Sequence, residues 1–133
     1  MAAADSTIRI EGASQMTPGS QQVVKVSLVA DSAVEAKEVR FELVWYTEGK
    51  GDREEAVVGW KTLHQGNLSA GQSLSDELTI TIPASPWSYD GHVVSIAWAM
   101  RVIIDTGRRK TSFTYVEPIV VSPYGRPAVP TSP

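Results

Sequence analysis

The chain carries few of the side chains that enzymes commonly use for catalysis. It has two histidines, His64 and His92, and no cysteine, which excludes thiolate chemistry, disulfides and cysteine-ligated zinc. His64 ends a segment of alternating apolar and polar residues, and His92 opens the longest such segment. Both positions are typical of exposed residues at strand ends rather than of a catalytic base. No serine has the Gly-x-Ser-x-Gly context of a nucleophile elbow, so we expect no catalytic residue and no enzyme.

Several carboxylates are close enough in sequence to be considered for acid–base or metal chemistry. Asp52, Glu54 and Glu55 lie in a charged turn of mixed sign, whereas a glycosidase needs two carboxylates facing each other across a cleft. Asp90 and Asp105 could join Asp52 at one end of a sandwich and bind calcium. The chain lacks the Asp-x-Asp series of a calcium loop. We therefore expect no metal ion and no cofactor.

Three adjacent cations, Arg108, Arg109 and Lys110, follow Asp105-Thr-Gly at a predicted hairpin. Such a cluster could bind a phosphate or an acidic peptide, because guanidinium and ammonium groups form charge-assisted hydrogen bonds with anions. The simpler interpretation is a solvated turn whose charges discourage pairing between sheet edges. Both interpretations stay open at this point.

The aromatic residues are the better indication of function. Of the four tryptophans, Trp45 and Trp98 lie on strongly apolar faces and are predicted to be core residues. Tyr46 points opposite Trp45, Trp60 lies in a weakly patterned segment, and Trp87 lies in a predicted loop. If they are exposed, these last three could anchor a protein partner, because tryptophan and tyrosine dominate interface hot spots. They could equally stack on sugars, or simply cap the ends of the core.

The composition of the 133 residues favours one globular domain. Hydrophobic residues make up 42% and charged residues 20%, which argues against disorder. A formal net charge of -3 gives no basic field for nucleic acid or an anionic membrane. No apolar run approaches the roughly 18 residues of a transmembrane helix. The N-terminus lacks the pattern of a secretory signal, and with the absence of cysteine this predicts a cytoplasmic location.

Alternation of apolar and polar residues with a period of two recurs along the chain and predicts half-buried antiparallel strands. The predicted strands are Ser6–Glu11, Gln22–Ala30, Lys37–Thr47, Glu55–His64, Leu74–Ile82, His92–Asp105 and Thr111–Ser122. His92–Asp105 carries small residues opposite its apolar face, which predicts a central strand covered in part on both faces. Pro118 cannot donate to a ladder and marks an edge or a bulge. Seven short strands separated by turns predict an all-β sandwich or barrel.

One sandwich domain is predicted over residues 1–122, followed by a proline-rich C-terminal tail over 123–133. Half of the eight prolines lie in that tail, which we expect to be extended and largely unpacked. It could serve as a proline-rich ligand for a small recognition domain, or be a tail or linker without further function.

One segment is more specific than the strand pattern. Residues 78–82 form an apolar strand that ends at Pro83, and the chain continues through Pro86-Trp-Ser-Tyr89 to Gly91 and a long strand carrying Trp98. This order resembles the arrestin-like families, in which a strand ending in Ile-Pro or Leu-Pro is followed by Pro-Ser-Tyr, a glycine and a long strand with an aromatic residue. The glycine at position 71 matches one that those families place before the first strand.

The resemblance has departures. Trp87 interrupts the Pro-Ser-Tyr motif, and Leu78 and Ile80 stand where phenylalanines are frequent. Arrestins have two sandwiches in tandem, whereas this length accommodates one. The resemblance implies an immunoglobulin-like antiparallel β-sandwich of about seven strands and an adaptor function that binds partner proteins. The phosphate-sensing residues of the family have no matching motif here. The residues themselves suggest that Tyr89 buries its ring and ties the crossover to the backbone through its hydroxyl, as in a tyrosine corner.

The sequence thus leaves three functional hypotheses. The first is a non-enzymatic interaction module that binds another protein, or a second copy of itself, by an edge strand or an aromatic patch. The second is a carbohydrate-binding module that uses Tyr46, Trp60 or Trp87 as stacking platforms. The third is a small hydrolase. An uncovered edge strand would favour the first, a coplanar row of exposed aromatics the second, and a pocket with a histidine beside a carboxylate the third.

Overall fold

The computed structural model describes residues 6–49, 51, 53–108 and 112–129, and those ranges contain eight β-strands and no helix. In chain order the strands are β1 (Ser6–Glu11), β2 (Gln15–Met16), β3 (Gln21–Ala30), β4 (Glu38–Gly49), β5 (Glu55–Gln65), β6 (Ser73–Thr81), β7 (Val94–Asp105) and β8 (Phe113–Val121). The seven predicted strands are all present within a few residues of their predicted ends. The eighth, β2, has only two residues, which is too short to show an alternating pattern.

The strands form two sheets, with the orders β1-β3-β6 and β2-β8-β7-β4-β5. All pairings are antiparallel except that of β2 with β8. The apolar faces of the two sheets pack on each other around one core. This arrangement confirms the predicted antiparallel β-sandwich. As predicted, β7 is a central strand, because it pairs with β4 on one side and β8 on the other.

The core follows from the alternation. Every second side chain of β4 and β7 points inward, and those at the strand centres are fully buried: Val39, Phe41, Leu43, Trp98, Met100, Val102 and Ile104. The small residues on the other face of β7 are also covered, since Ala99 has no exposed surface. Trp45, which was predicted to be a core residue, is only half-buried at the periphery of this cluster.

The crossover between β6 and β7 is held mainly by its backbone. The Trp98 indole donates to the Pro86 carbonyl over 3.1 Å, and Tyr89 exchanges two backbone hydrogen bonds of 2.9 and 2.8 Å with Ile96. The Ser88 amide donates to the Val121 carbonyl over 2.7 Å. The Tyr89 hydroxyl makes no hydrogen bond with the described residues. The prediction that the Tyr89 hydroxyl bonds the crossover to the backbone is therefore wrong. The main-chain hydrogen bonds of Tyr89 to Ile96 hold the crossover instead.

The described part of the tail, residues 123–129, packs against the same crossover. The Asp90 amide donates to the Ala128 carbonyl over 2.7 Å, and the Ala128 amide donates to the Ser88 carbonyl over 2.8 Å. The Tyr124 ring meets Trp87 edge-on, with 5.8 Å between ring centroids. The backbone turns over residues 123–126 and forms an isolated bridge at Ala128, while Pro123, Tyr124, Arg126 and Val129 stay exposed. That the tail as a whole is largely unpacked stays a prediction.

Gly91 gives a stability prediction that tests this crossover. A Cβ at this position would collide with the Val94 carbonyl oxygen and lie 2.6 Å from the Tyr89 ring. We expect Gly91→Ala to lower the free energy of unfolding by about 2–3 kcal/mol, because the backbone of the crossover must shift to make room. Urea denaturation followed by circular dichroism measures the change. Gly59→Ala is the control, since its Cβ would meet no atom closer than 3.9 Å; equal losses in the two variants would contradict the crossover geometry.

Candidate functional site

Two strands that follow each other in sequence, β5 and β6, form one flank of the sandwich. β5 ends the five-stranded sheet and β6 ends the three-stranded sheet, so each pairs with a neighbour on one side only. The Lys61 ammonium and the Asp76 carboxylate, 3.1 Å apart, join the two sheets across this flank. A sheet edge presents unpaired backbone groups that another chain can use, so this flank is suited to binding.

A groove with an apolar floor and polar walls lies between the two edges. It has a volume of about 410 Å³, and its walls are Val58–Lys61 of β5 and Glu77–Thr81 of β6. Core side chains form its floor: Phe41, Leu43, Leu78 and Ile80. We call this feature the β5–β6 groove. Because its floor is the edge of the hydrophobic core, a side chain that entered it would be removed from water by apolar neighbours.

The backbone of β6 is available along this groove. In the pairing of β6 with β3, the Ile82 amide donates to Ser20 and the Gln72 carbonyl accepts from Ala30. In an antiparallel ladder, hydrogen-bonded positions alternate, so the even-numbered residues of β6 bond to β3. The N–H and C=O groups of the odd-numbered residues point to the free edge: Ser73, Ser75, Glu77, Thr79 and Thr81. None of these groups has a partner among the described residues.

Other edges carry features that discourage pairing. β5 has register irregularities opposite Val39/Arg40 and Leu43/Val44. The charged side chain of Lys61 also points inward from this edge, towards Asp76. β8 contains Pro118, which has no amide proton. β6 is regular, with nine consecutive pairs to β3 and no proline. The other edge of the three-stranded sheet, β1, has only six residues. Among the described strands, β6 is therefore the long edge best suited to accept another strand.

Gly59 widens the groove on the β5 side. It pairs with Leu43, which points into the core, so a side chain at position 59 would point into the groove. Glycine in a strand weakens it and is found where another chain approaches closely. The φ angle of Gly59 is not positive, so no backbone strain requires glycine at this position. The residue therefore leaves open space beside Leu78 and Ile80.

Trp60 is the most exposed of the aromatic candidates, at 68% of its surface. It pairs with Glu42 and therefore projects from the outer face of the five-stranded sheet. Val57 and Val58, also on β5, are 43% and 39% exposed. An exposed tryptophan beside two exposed valines is a surface that a protein partner could bury.

The two other aromatic candidates already have intramolecular contacts. The guanidinium of Arg53 lies over the Tyr46 ring at 4.3 Å from its centroid. The Trp87 indole donates to the Ala84 carbonyl over 2.9 Å, and its ring contacts Tyr124. Trp87 lies beside β8, on the opposite side of the five-stranded sheet from Trp60. The structure therefore does not bring Tyr46, Trp60 and Trp87 into one row.

Of the basic candidates, Arg109 and Lys110 lie outside the described residues. The carbonyl of Arg108 accepts hydrogen bonds from the Ser112 amide over 3.1 Å and the Ser112 hydroxyl over 2.9 Å. These bonds close the turn between β7 and β8. Binding of an anion by Arg108, Arg109 and Lys110 stays a prediction.

The histidines do not form a catalytic arrangement with acids in the described part of the chain. The His64 imidazole lies 3.2 Å from the Asn67 carbonyl oxygen, and His92 is exposed. No histidine–carboxylate ion pair is present among the described residues. Within the same ranges, no three histidine, aspartate or glutamate side chains are grouped to hold a metal ion.

Sequence reasoning missed an ionic cluster on the outer face of the five-stranded sheet. Glu42 is 6% exposed and accepts hydrogen bonds from Arg40 over 2.9 Å and from Arg101 over 2.6 Å. Arg40 also bonds Glu38 over 2.7 Å, and Arg101 bonds Glu55 over 2.9 Å. Burial raises the pKa of Glu42, but the hydrogen bonds and charges of the two arginines outweigh it and hold the pKa below its usual value. The cluster is saturated with internal partners, so it stabilises the sheet and offers little to a ligand.

Comparison with solved structures identifies a similar fold. Spo0M, the sporulation control protein of Bacillus subtilis, aligns with a TM-score of 0.61 and 16% sequence identity over 89% of this chain and 49% of its own. Spo0M has an arrestin-like fold, which confirms the arrestin-type sandwich that the sequence predicts. This chain spans about half the length of Spo0M, and at this identity the likeness shows the fold alone.

No family model and no curated protein matches the sequence. No helix in the described ranges is long and apolar enough to cross a membrane.

Proposed function

We propose that this chain is a non-enzymatic protein-interaction module of the cytoplasm, which binds a partner polypeptide along the β5–β6 flank. The observation that carries the proposal is the unpaired backbone of β6 beside the apolar floor of the β5–β6 groove. Main-chain hydrogen-bonding groups next to an apolar groove floor match the chemistry of a polypeptide, which has both backbone hydrogen-bonding groups and apolar side chains. Trp60 adds an exposed aromatic anchor on the neighbouring strand.

The competing hypotheses have less support. Sugar binding by stacking favours several exposed rings in one plane, whereas Tyr46 and Trp87 are engaged in contacts within the chain. A hydrolase needs a positioned acid, base or nucleophile, and neither histidine lies in an ion pair with a carboxylate in the described ranges. The name of the structural neighbour, a sporulation control protein, agrees with a regulatory role.

Thr79→Pro tests the proposal. The Thr79 amide points to the free edge, so proline removes a donor for the partner without breaking the β3–β6 ladder. We expect the free energy of unfolding to change by no more than about 1 kcal/mol, because proline is tolerated in that orientation. We expect a partner captured from extracts of the source cells on the immobilised wild-type chain to be retained at least about tenfold less, as quantified by mass spectrometry.

The matched control is Thr79→Val, which keeps the amide and a β-branched side chain. A second variant, Trp60→Ser, shows whether the aromatic anchor also contributes. The proposal would be overturned if no protein were retained more strongly by the wild-type chain than by Thr79→Pro and Trp60→Ser. Binding to a glycan array that is lost in Trp60→Ser would instead support the carbohydrate hypothesis.

A further inference from the structure

We infer that the partner occupies the β5–β6 groove as an extended strand added to β6, with apolar side chains directed into the groove and a lysine or arginine opposite Glu77 on the outer face. This inference rests on the proposed function and specifies the chemistry of the partner. It concerns a segment of a different protein rather than a second copy of this chain.

The charge of the partner follows from a cross-strand row on the outer face of the three-stranded sheet. In register, Glu11 of β1 lies opposite Lys25 of β3, and Lys25 lies opposite Glu77 of β6. The signs alternate along the row, and the row ends on an anion at the free edge. Opposite charges on directly facing residues stabilise neighbouring strands, and like charges destabilise them. The next position in the row therefore favours a cation.

The side chains that the added strand directs into the groove are expected to be apolar, because side chains alternate between the two faces of a pleated strand. In a strand added to β6, the residues on either side of the one opposite Glu77 face inward, because successive side chains alternate. The inward residues nearest Leu78 and Ile80 would lie over the groove floor and beside the open space at Gly59. The Lys61–Asp76 ion pair limits the groove at one end. Opposite Glu77 to Ile80, the resulting pattern is basic, apolar, polar, apolar.

A second copy of this chain does not supply that pattern through its own β6. When two β6 strands pair antiparallel over their full length, Glu77 of one copy faces Glu77 of the other. Like charges directly opposite each other oppose this pairing. The charge row thus disfavours the symmetric dimer formed through β6.

Isothermal titration calorimetry on the whole chain tests the inference with a synthetic peptide, acetyl-Thr-Val-Lys-Val-Thr-Val-Thr-amide. Three probes accompany it: the same peptide with glutamate in place of lysine, a version N-methylated at alternate residues, and a permuted sequence without alternation. We expect the wild-type chain to bind the lysine peptide about two- to fivefold more tightly than the glutamate peptide. We expect Glu77→Lys to reverse that preference. N-methylation or Thr79→Pro should weaken binding at least about tenfold.

Several results would overturn the inference. They are equal binding of the alternating and the permuted peptide, an unchanged preference in Glu77→Lys, and binding that survives both N-methylation and Thr79→Pro. A dimer in light scattering that dissociates in Thr79→Pro would overturn it in favour of a second copy. If the peptides fail but cell extracts yield a partner that depends on Trp60, the interaction function stands and only the strand-addition mode is wrong.

Discussion

Replacing Trp98 with alanine is expected to lower the free energy of unfolding by about 3–5 kcal/mol. Trp98 is 1% exposed and lies in the middle of the five-stranded sheet, between Trp45 of β4 and Ile119 of β8. Truncation removes the largest fully buried side chain and leaves a cavity that neighbours on two strands can only partly fill. It also leaves the Pro86 carbonyl without its indole donor. Urea denaturation followed by far-ultraviolet circular dichroism measures the loss.

Two further variants separate these contributions. Trp98→Phe keeps much of the buried ring and removes the hydrogen bond to Pro86, so we expect a smaller loss, of about 1–2 kcal/mol. Trp60→Ala removes a tryptophan that is 68% exposed, and we expect a change within about 0.5 kcal/mol. If Trp98→Ala cost no more than Trp60→Ala, the placement of Trp98 in the core would be wrong. A domain of this kind is stable by about 5–15 kcal/mol, so the expected loss is a large share of the total.

Replacing Glu42 with glutamine is expected to lower the free energy of unfolding at pH 7 by about 2–4 kcal/mol. Removing one partner of a buried ion pair costs about 3–5 kcal/mol because the remaining charge is left without compensation. The cost is somewhat smaller here, since Arg40 keeps Glu38 and Arg101 keeps Glu55. Glutamine retains the shape of the side chain, so the change reports mainly on charge and hydrogen bonding.

The same variant has a pH dependence of defined sign. The pKa of Glu42 is lowered in the folded state, so ionised Glu42 contributes stability above the ordinary glutamate pKa of about 4.3. That contribution is lost as the pH falls through the lowered pKa. The difference between the wild-type chain and Glu42→Gln should therefore be largest near neutral pH and shrink below about pH 4. Urea denaturation from pH 3 to pH 7 measures it.

Glu77→Gln is the control for that series. Glu77 is exposed and belongs to no ion pair among the described residues, so its replacement should change stability by no more than about 0.5 kcal/mol at any pH. A constant difference between the wild-type chain and Glu42→Gln across the pH range would show that the effect of Glu42 is steric rather than electrostatic.

The amino-acid sequence was sufficient to predict the strands and the class of fold. The alternation of apolar and polar side chains is a local property of each segment. It can therefore be recognised in one strand without knowing where the other strands lie. Burial of Phe41, Leu43 and Trp98 follows directly, because each lies at the centre of a strongly alternating segment. The likeness of residues 67–102 to the arrestin-like families likewise depends on local order along the chain. The structural neighbour agrees with the fold that it implies.

Local sequence was less informative at the periphery of the fold. Trp45 alternates like a core residue but is only half-buried, because it lies near the end of β4, where the cover from the other sheet thins out. For Tyr89 the sequence predicted correctly that this residue anchors the crossover, but it assigned the hydrogen bond to the side-chain hydroxyl instead of the main chain. The contacts of Trp87 with Tyr124 depend on how the tail returns to the crossover.

The sequence pointed to Trp60, but tertiary structure decided where the candidate site lies and which charged residues meet in the ionic cluster. Arg101 and Glu42 are 59 positions apart in sequence and meet only because β4 and β7 pair in one register. The β5–β6 groove exists because β5 and β6 end different sheets, which no period in either strand encodes. The order of strands in a sheet determines which edge is free. The alternation of hydrogen-bonded positions along the β3–β6 pair determines which backbone groups of β6 point to that edge. The sequence determined which residues prefer to be buried, and packing of the two sheets decided which surface was left open.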